Sequence, residues 1–198
     1  MAYTAPERFG IKEVADVAFY ALGPDGLPYG DPVLVFDTLK VSNIEFTAEQ
    51  AEARGGKGNA PLIIWDYGRE INVTLEDALL SMETLGLMFE NNKAAGTDGK
   101  IEISANTFPG NYYIEGKTYA RNEADGNDHL LTFTIHKAKI QSEVTLTMEA
   151  EGDPTVFGIN LRVLRGEGGK MMTLERDASA FVHGTSKIEF ASKGTKAN

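Results

Sequence analysis

Apolar and polar residues alternate with a period of two along most of the chain. Over 143–150, Val144, Leu146, Met148 and Ala150 fall on one face and Glu143, Thr145, Thr147 and Glu149 on the other. That pattern predicts a strand with one wet side. Leu131, Phe133 and Ile135 alternate with Leu130, Thr132, Thr134 and His136. Ile71, Val73 and Leu75 alternate with Glu70, Asn72 and Thr74, and Ile101, Ile103 and Ala105 with Lys100, Glu102 and Ser104. Further strands are predicted over 12–21, 33–46, 61–67, 111–119, 155–164 and 170–176. Turn signals separate them: Gly23-Pro24-Asp25-Gly26, Asp98-Gly99 and Pro109-Gly110. Arg165-Gly166-Glu167-Gly168-Gly169 is expected to close a hairpin between the last two long strands, which Glu151-Gly152-Asp153-Pro154 opens.

One segment changes period. Leu75, Ala78, Leu79, Met82 and Leu85 recur at helical spacing, and Thr74 with Asp77 can form a capping box ahead of them. This predicts one helix over 76–89, covering an end or face of a β core. The segment 53–60 breaks both patterns. Gly55, Gly56 and Gly58 fall within four positions, which predicts a flexible loop, with Arg54 and Lys57 as two positive charges. No internal repeat is evident, and the chain is expected to fray from about Ser192. The expected fold class is mainly β: one domain over 1–198, an antiparallel β-sandwich or half-barrel with one flanking helix.

Composition narrows the function. The chain has 198 residues, 42% of them hydrophobic, which is enough for a core. Its formal net charge is −10 and its sequence pI about 4.8, which disfavours groove reading of DNA. The absence of cysteine excludes disulfides, thiolate metal sites and thiol nucleophiles. No apolar run approaches the ~18 residues of a membrane helix, and Met1 to Pro6 lack the features of a signal peptide. Synthesis and folding in the cytoplasm are expected, with no membrane partner.

The chemical motifs are weak. Gly116-Lys117-Thr118 resembles the end of a phosphate-binding loop, but position 111 is Asn where that loop needs glycine, and a strand pattern surrounds it. The glycines at 55–58 precede a strand where a dinucleotide loop would open a helix. His129 and His136 lie seven apart, on opposite faces of a strand, and neither these nor His183 has metal-ligand spacing. Glu143 and Glu149 are six residues apart, roughly 20 Å along a strand, against the ~5–10 Å of glycosidase pairs. No catalytic residue, metal or cofactor is expected. Trp65, within Leu62-Ile63-Ile64-Trp65-Asp66-Tyr67, is expected in the core or at a subunit interface.

Three stretches together carry a resemblance: Asp37 to Phe46, then Thr47 to Asn59, then Ile63 to Ser81. In order, they resemble the tail-tube (major tail) proteins of long-tailed phages and phage-like particles. The resemblance covers roughly residues 10–90. It implies a structural subunit of the virion tail, made in the host cytoplasm. Six copies would form a ring, and stacked rings a tube through which DNA passes without specific binding. Implied partners are further copies of the chain, the tape-measure, baseplate and terminator proteins, and a sheath if the tail contracts. A bacteriocin-like or contractile injection particle would read alike.

Self-assembly then gives the loop Arg54, Gly55, Gly56, Lys57, Gly58 and Asn59 a role as a subunit contact. Carboxylates in the bore would repel DNA phosphates and let the strand slide. Glu102, Glu143 and Glu149, on the polar faces of alternating strands, are candidates for that lining. An alternative from another class is a monomeric carbohydrate-binding β-sandwich, for which Tyr112, Tyr113 and Tyr119 are the aromatic platform candidates.

Overall fold

The structure is a computed structural model that describes residues 8–11, 16–77, 81–89, 108–141, 157–183 and 188–194, with positions 101, 103, 105 and 106. Among these, nine strands and one α-helix form. They are β1 (Phe9–Ile11), β2 (Asp16–Leu22), β3 (Pro28–Phe36), β4 (Leu39–Gly55) and β5 (Ala60–Asp77). After α1 (Met82–Phe89) come β6 (Asn111–Asn122), β7 (Asp128–Ile140), β8 (Phe157–Val163) and β9 (Met172–Ala180). The fold is mainly β, as expected, with every strand pair antiparallel.

The strands make one sheet in the order β3-β2-β6-β7-β8-β5-β4. Its centre is the β6–β7 hairpin, closed where Arg121 faces Asp128. Each strand of that hairpin is flanked by a broken one. β1 and then β2 follow β6, and β8 and then β9 follow β7. The predicted β8–β9 hairpin therefore does not form. Its five glycine-rich residues make an excursion from one interrupted edge. Leu164 donates its N–H to Lys137 O (2.8 Å), the chain loops out through a 3-10 turn, and the ladder resumes where His136 N–H meets Met171 O (3.1 Å).

The two ends of the sheet meet at a corner. β3 ends at Phe36, β4 begins at Leu39, and only Asp37 and Thr38 lie between. The predicted single strand over 33–46 is thus broken at the point where the chain passes from one sheet edge to the other. Thr38 Oγ1 donates to Asp77 Oδ1 at 2.5 Å and ties the corner to β5. A sheet rolled in this way is a half-barrel, open because β3 and β4 do not pair.

Inside the roll lie Val17, Phe19, Phe36, Ile71, Val73, Leu75, Tyr112, Ile114, Phe133, Ile135, Ile159 and Leu161. Period-two alternation put most of them there, since each strand turns every second side chain inward. Phe19 packs edge-on against Phe36 and Tyr112, with centroids 5.5 and 5.9 Å away. α1 seals this core with Leu87 and Met88, and Tyr112 donates its hydroxyl to Leu87 O (3.2 Å).

The helix starts later than its periodicity suggests. Thr74 and Asp77 belong to β5, so no capping box forms. Ser81 caps instead: its Oγ accepts the Thr84 N–H at 3.0 Å. Ile101 and Ile103 are outside any strand and Ala105-Asn106 form a turn, contrary to the strand predicted over 100–106. The strand predicted over 143–150 lies outside the described residues.

Candidate assembly surface

β4 and β5 are far longer than the core requires. Up to Phe46 and from Ile71 they belong to the sheet; between them, residues 47–70 project as a two-stranded arm. The ladder continues almost to the tip, where Gly55 still pairs with Ala60. Only Gly56 to Asn59 leave it, in a tight turn with Gly56 (φ 80°), Gly58 (φ 95°) and Asn59 (φ 50°) in the left-handed region and Asn59 N–H donating to Gly56 O at 3.2 Å. The predicted loop is therefore a hairpin tip. Its glycines supply the positive φ that such a turn needs, and Arg54 and Gly55 stand in the strand.

Gly68 (φ 60°) marks a bulge in β5: Thr47 pairs with Glu70 and Glu49 with Tyr67, so two residues of β5 face one of β4. Beyond the bulge the arm has two unlike faces. Register sets Ala51 opposite Trp65, Ala53 opposite Ile63 and Glu49 opposite Tyr67, which makes a stripe of large apolar residues beside alanines. On the reverse face Gln50 Nε2 donates to Asp66 Oδ1 (2.8 Å), and Arg54 pairs with Glu52 (2.5 Å). Leu62, Ile63, Ile64, Trp65 and Tyr67 are all at least half exposed. Trp65 is absent from the core.

β4 has no partner along its outer edge among the described residues. A 17-residue edge beside the exposed apolar side chains of β5 is a template for pairing with another chain. A two-stranded hairpin is marginal by itself in water and needs a further surface.

The other sheet edge is partly occupied by the chain's own C-terminal segment. Lys193 N–H donates to Gly30 O (2.9 Å) and Gly30 N–H to Gly194 O (3.1 Å). Ser192 to Gly194, expected to fray, are thus held against β3. The segment reaches this point across the outer sheet face. Phe181 and His183 pack on Tyr119 (centroids 4.7 and 4.9 Å), Lys117 Nζ donates to Glu189 O (2.5 Å), and Tyr20 donates its hydroxyl to Ala191 O (3.1 Å).

Glu115, buried beneath this strap, pairs with Lys193 and with Lys117 (3.0 Å). Burial opposes its ionisation, but the two lysines outweigh burial and hold its carboxyl below the usual range. Burial, with the Glu115 charge nearby, pushes the Tyr20 phenol up to about 12.

Chemistry elsewhere is sparse. His136 Nε2 lies 2.9 Å from Thr173 Oγ1, and burial lowers its pKa, followed by the Lys170 charge. Among the described residues no group of three or more His, Asp or Glu could hold a metal ion. Tyr112 is fully buried and Tyr119 is covered by Phe181 and His183, so the three tyrosines do not form an open platform. Glu102, Glu143 and Glu149 lie outside the described residues.

The sequence model of the YomU/Tube protein family matches this chain twice, over residues 9–92 and 91–174. The chain belongs to the YomU/Tube protein family. That membership agrees with the tail-tube resemblance and with a structural, tube-like role. The double match also corrects the reading that no repeat is present. The two matched halves are joined on one side where β1 and β2 pair with β6, and on the other where β5 and β8 pair antiparallel from Asn72–Arg162 to Asp77–Phe157. The repeat escapes notice in residue identities because a strand constrains the polarity of a position more than its side chain. No curated protein matches the chain. Among the described residues of this tube-family chain, no helix is long and apolar enough to cross a membrane.

Proposed function

We propose that this chain is the repeating subunit of a phage tail tube: copies close into hexameric rings, the rings stack, and DNA is ejected through the bore. One observation carries the reading. The subunit holds out a two-stranded arm, residues 47–70, with apolar side chains exposed and beside them a β4 edge that no described residue pairs. Alone, that arm leaves strand groups and apolar surface in water; repeated identical contacts around an axis would cover both.

The proposal includes the arm tip, Arg54 to Asn59, as a contact with a neighbouring copy. It includes carboxylates in the bore, with Glu102, Glu143 and Glu149 as candidates, because a negative wall repels phosphate. The tape-measure, baseplate and terminator proteins are the remaining proposed partners, and a sheath if the tail contracts. The virion tail is the proposed location.

The test is negative-stain microscopy of the concentrated protein, alone and with the tail's initiating components. Rings or tubes with six-fold end views are expected. Monomers under every condition would overturn the reading.

A further inference from the structure

At the root of the arm, on the side facing the core, lies an apolar groove. Phe46, Arg69, Ile71, Gly169, Met171, Met172 and Leu174 line it, and it encloses about 330 Å³. That exceeds the roughly 150 Å³ that accommodates a benzene ring. Phe46 is 52% and Leu174 60% exposed, so a groove lined with apolar side chains stands open to water. The methionines are unbranched and polarizable, suited to moulding around an aromatic ring.

We infer that this groove receives the arm of a second copy, laid with its Trp65 face inward. The inference rests on the tube reading above. Three features of the chain select this occupant.

The first is orientation. Phe46 is an even-numbered position of β4, and Trp65 lies across from Ala51, an odd-numbered one. The two side chains therefore stand on opposite faces of one ribbon, and a subunit's own Trp65 points away from its own groove.

The second is area. On the Trp65 face, Ile63, Trp65 and Tyr67 are each at least half exposed. Together they offer on the order of 350 Å² of largely apolar surface, nearly half of the ~800 Å² per partner of a stable interface.

The third is charge. The Trp65 face carries Glu49, opposite Tyr67, and the groove carries Arg69. Seating the stripe brings carboxylate towards guanidinium.

The contact is heterologous, since arm and groove are different surfaces, and heterologous contacts propagate into rings or filaments. The arm extends about 30 Å from the sheet, at ~3.3 Å per strand residue, enough to cross to an adjacent subunit.

The chain has no cysteine, so introduced ones report cleanly. Ala51→Cys places a thiol on the Trp65 face without removing Trp65, and Leu174→Cys places one in the groove. The two single variants are mixed, assembled, checked by microscopy and treated with a short bis-maleimide. Cross-linked dimers well above those of either variant alone are expected, falling at least tenfold when Trp65→Ala is added to the Ala51→Cys chain. Tubes that form without mixed dimers would overturn the groove assignment while leaving the tube reading intact. Failure of the parent protein to form rings or tubes with its initiating components would overturn both.

Discussion

Phe133 lies directly across from Gly116 in the β6–β7 hairpin, so close that a Cβ on Gly116 would stand 2.0 Å from the ring Cζ and 2.2 Å from Cε1. The glycine that made Gly116-Lys117-Thr118 look like a phosphate loop is there to admit an aromatic ring over the strand. Gly116→Ala should push Phe133 out of its place in the core and cost about 1–3 kcal/mol. At roughly 2–4 °C per kcal/mol for a chain of this size, calorimetry should record a Tm lower by several degrees. Phosphate compounds should leave the parent's Tm unchanged.

Trp65 should behave in the opposite manner. It packs outside the core, so Trp65→Ser should leave the subunit's Tm within about 1–2 °C, as exposed substitutions cost little. Assembly should suffer instead. Sedimentation of concentrated protein should show tubes in the parent and slow-sedimenting subunits in the variant. A strongly lowered Tm would place Trp65 in the core after all.

Alternation made the interior legible. Ile71, Val73 and Leu75 on β5 and Leu131, Phe133 and Ile135 on β7 are buried as their spacing predicts, because a strand in a half-buried sheet has to sort its side chains. Boundaries that depend on other strands were not legible. The break at Asp37-Thr38 exists because β3 and β4 sit at opposite ends of the sheet. The 165–169 excursion exists because β8 and β9 both follow β7. Neither relation has a local signature.

The glycines at 55–58 signalled a turn, yet its tightness depends on a ladder that runs to Gly55–Ala60, and composition alone read it as a loop. The apolar run around Trp65 was legible but not its side of the sheet: of the core and the subunit interface it left open, the structure removes the core, while the groove near Leu174 arises from three distant segments and has no signal in the sequence.

The C-terminal strap should loosen in acid. The Glu115 carboxyl titrates below its ordinary value in the folded protein, so its contribution is present above that ordinary value, about 4.5, and is lost as pH falls through the depressed one. Hydrogen exchange at the Lys193 amide, which is bonded to Gly30 O, should be protected near neutrality. After correction for intrinsic rates, that protection should fall as the pH drops below the ordinary carboxylate value. Lys193→Met should weaken it at every pH. Unchanged protection through the acid range would show that the strap is held independently of Glu115.

Trypsin should find the arm tip. Arg54 and Lys57 are exposed, and Lys57 sits in the turn itself. Limited digestion of free subunits should cut there first, and assembled tubes should resist by tenfold or more in rate. Equal cutting of both forms would remove the tip from the contact.

Cryo-electron microscopy of the native particle tests the central claim most directly. It should place this polypeptide in the wall of the tail channel, six copies to a ring, with each arm on a neighbouring copy. Density that assigns the channel wall to another protein, with this chain elsewhere, would contradict it.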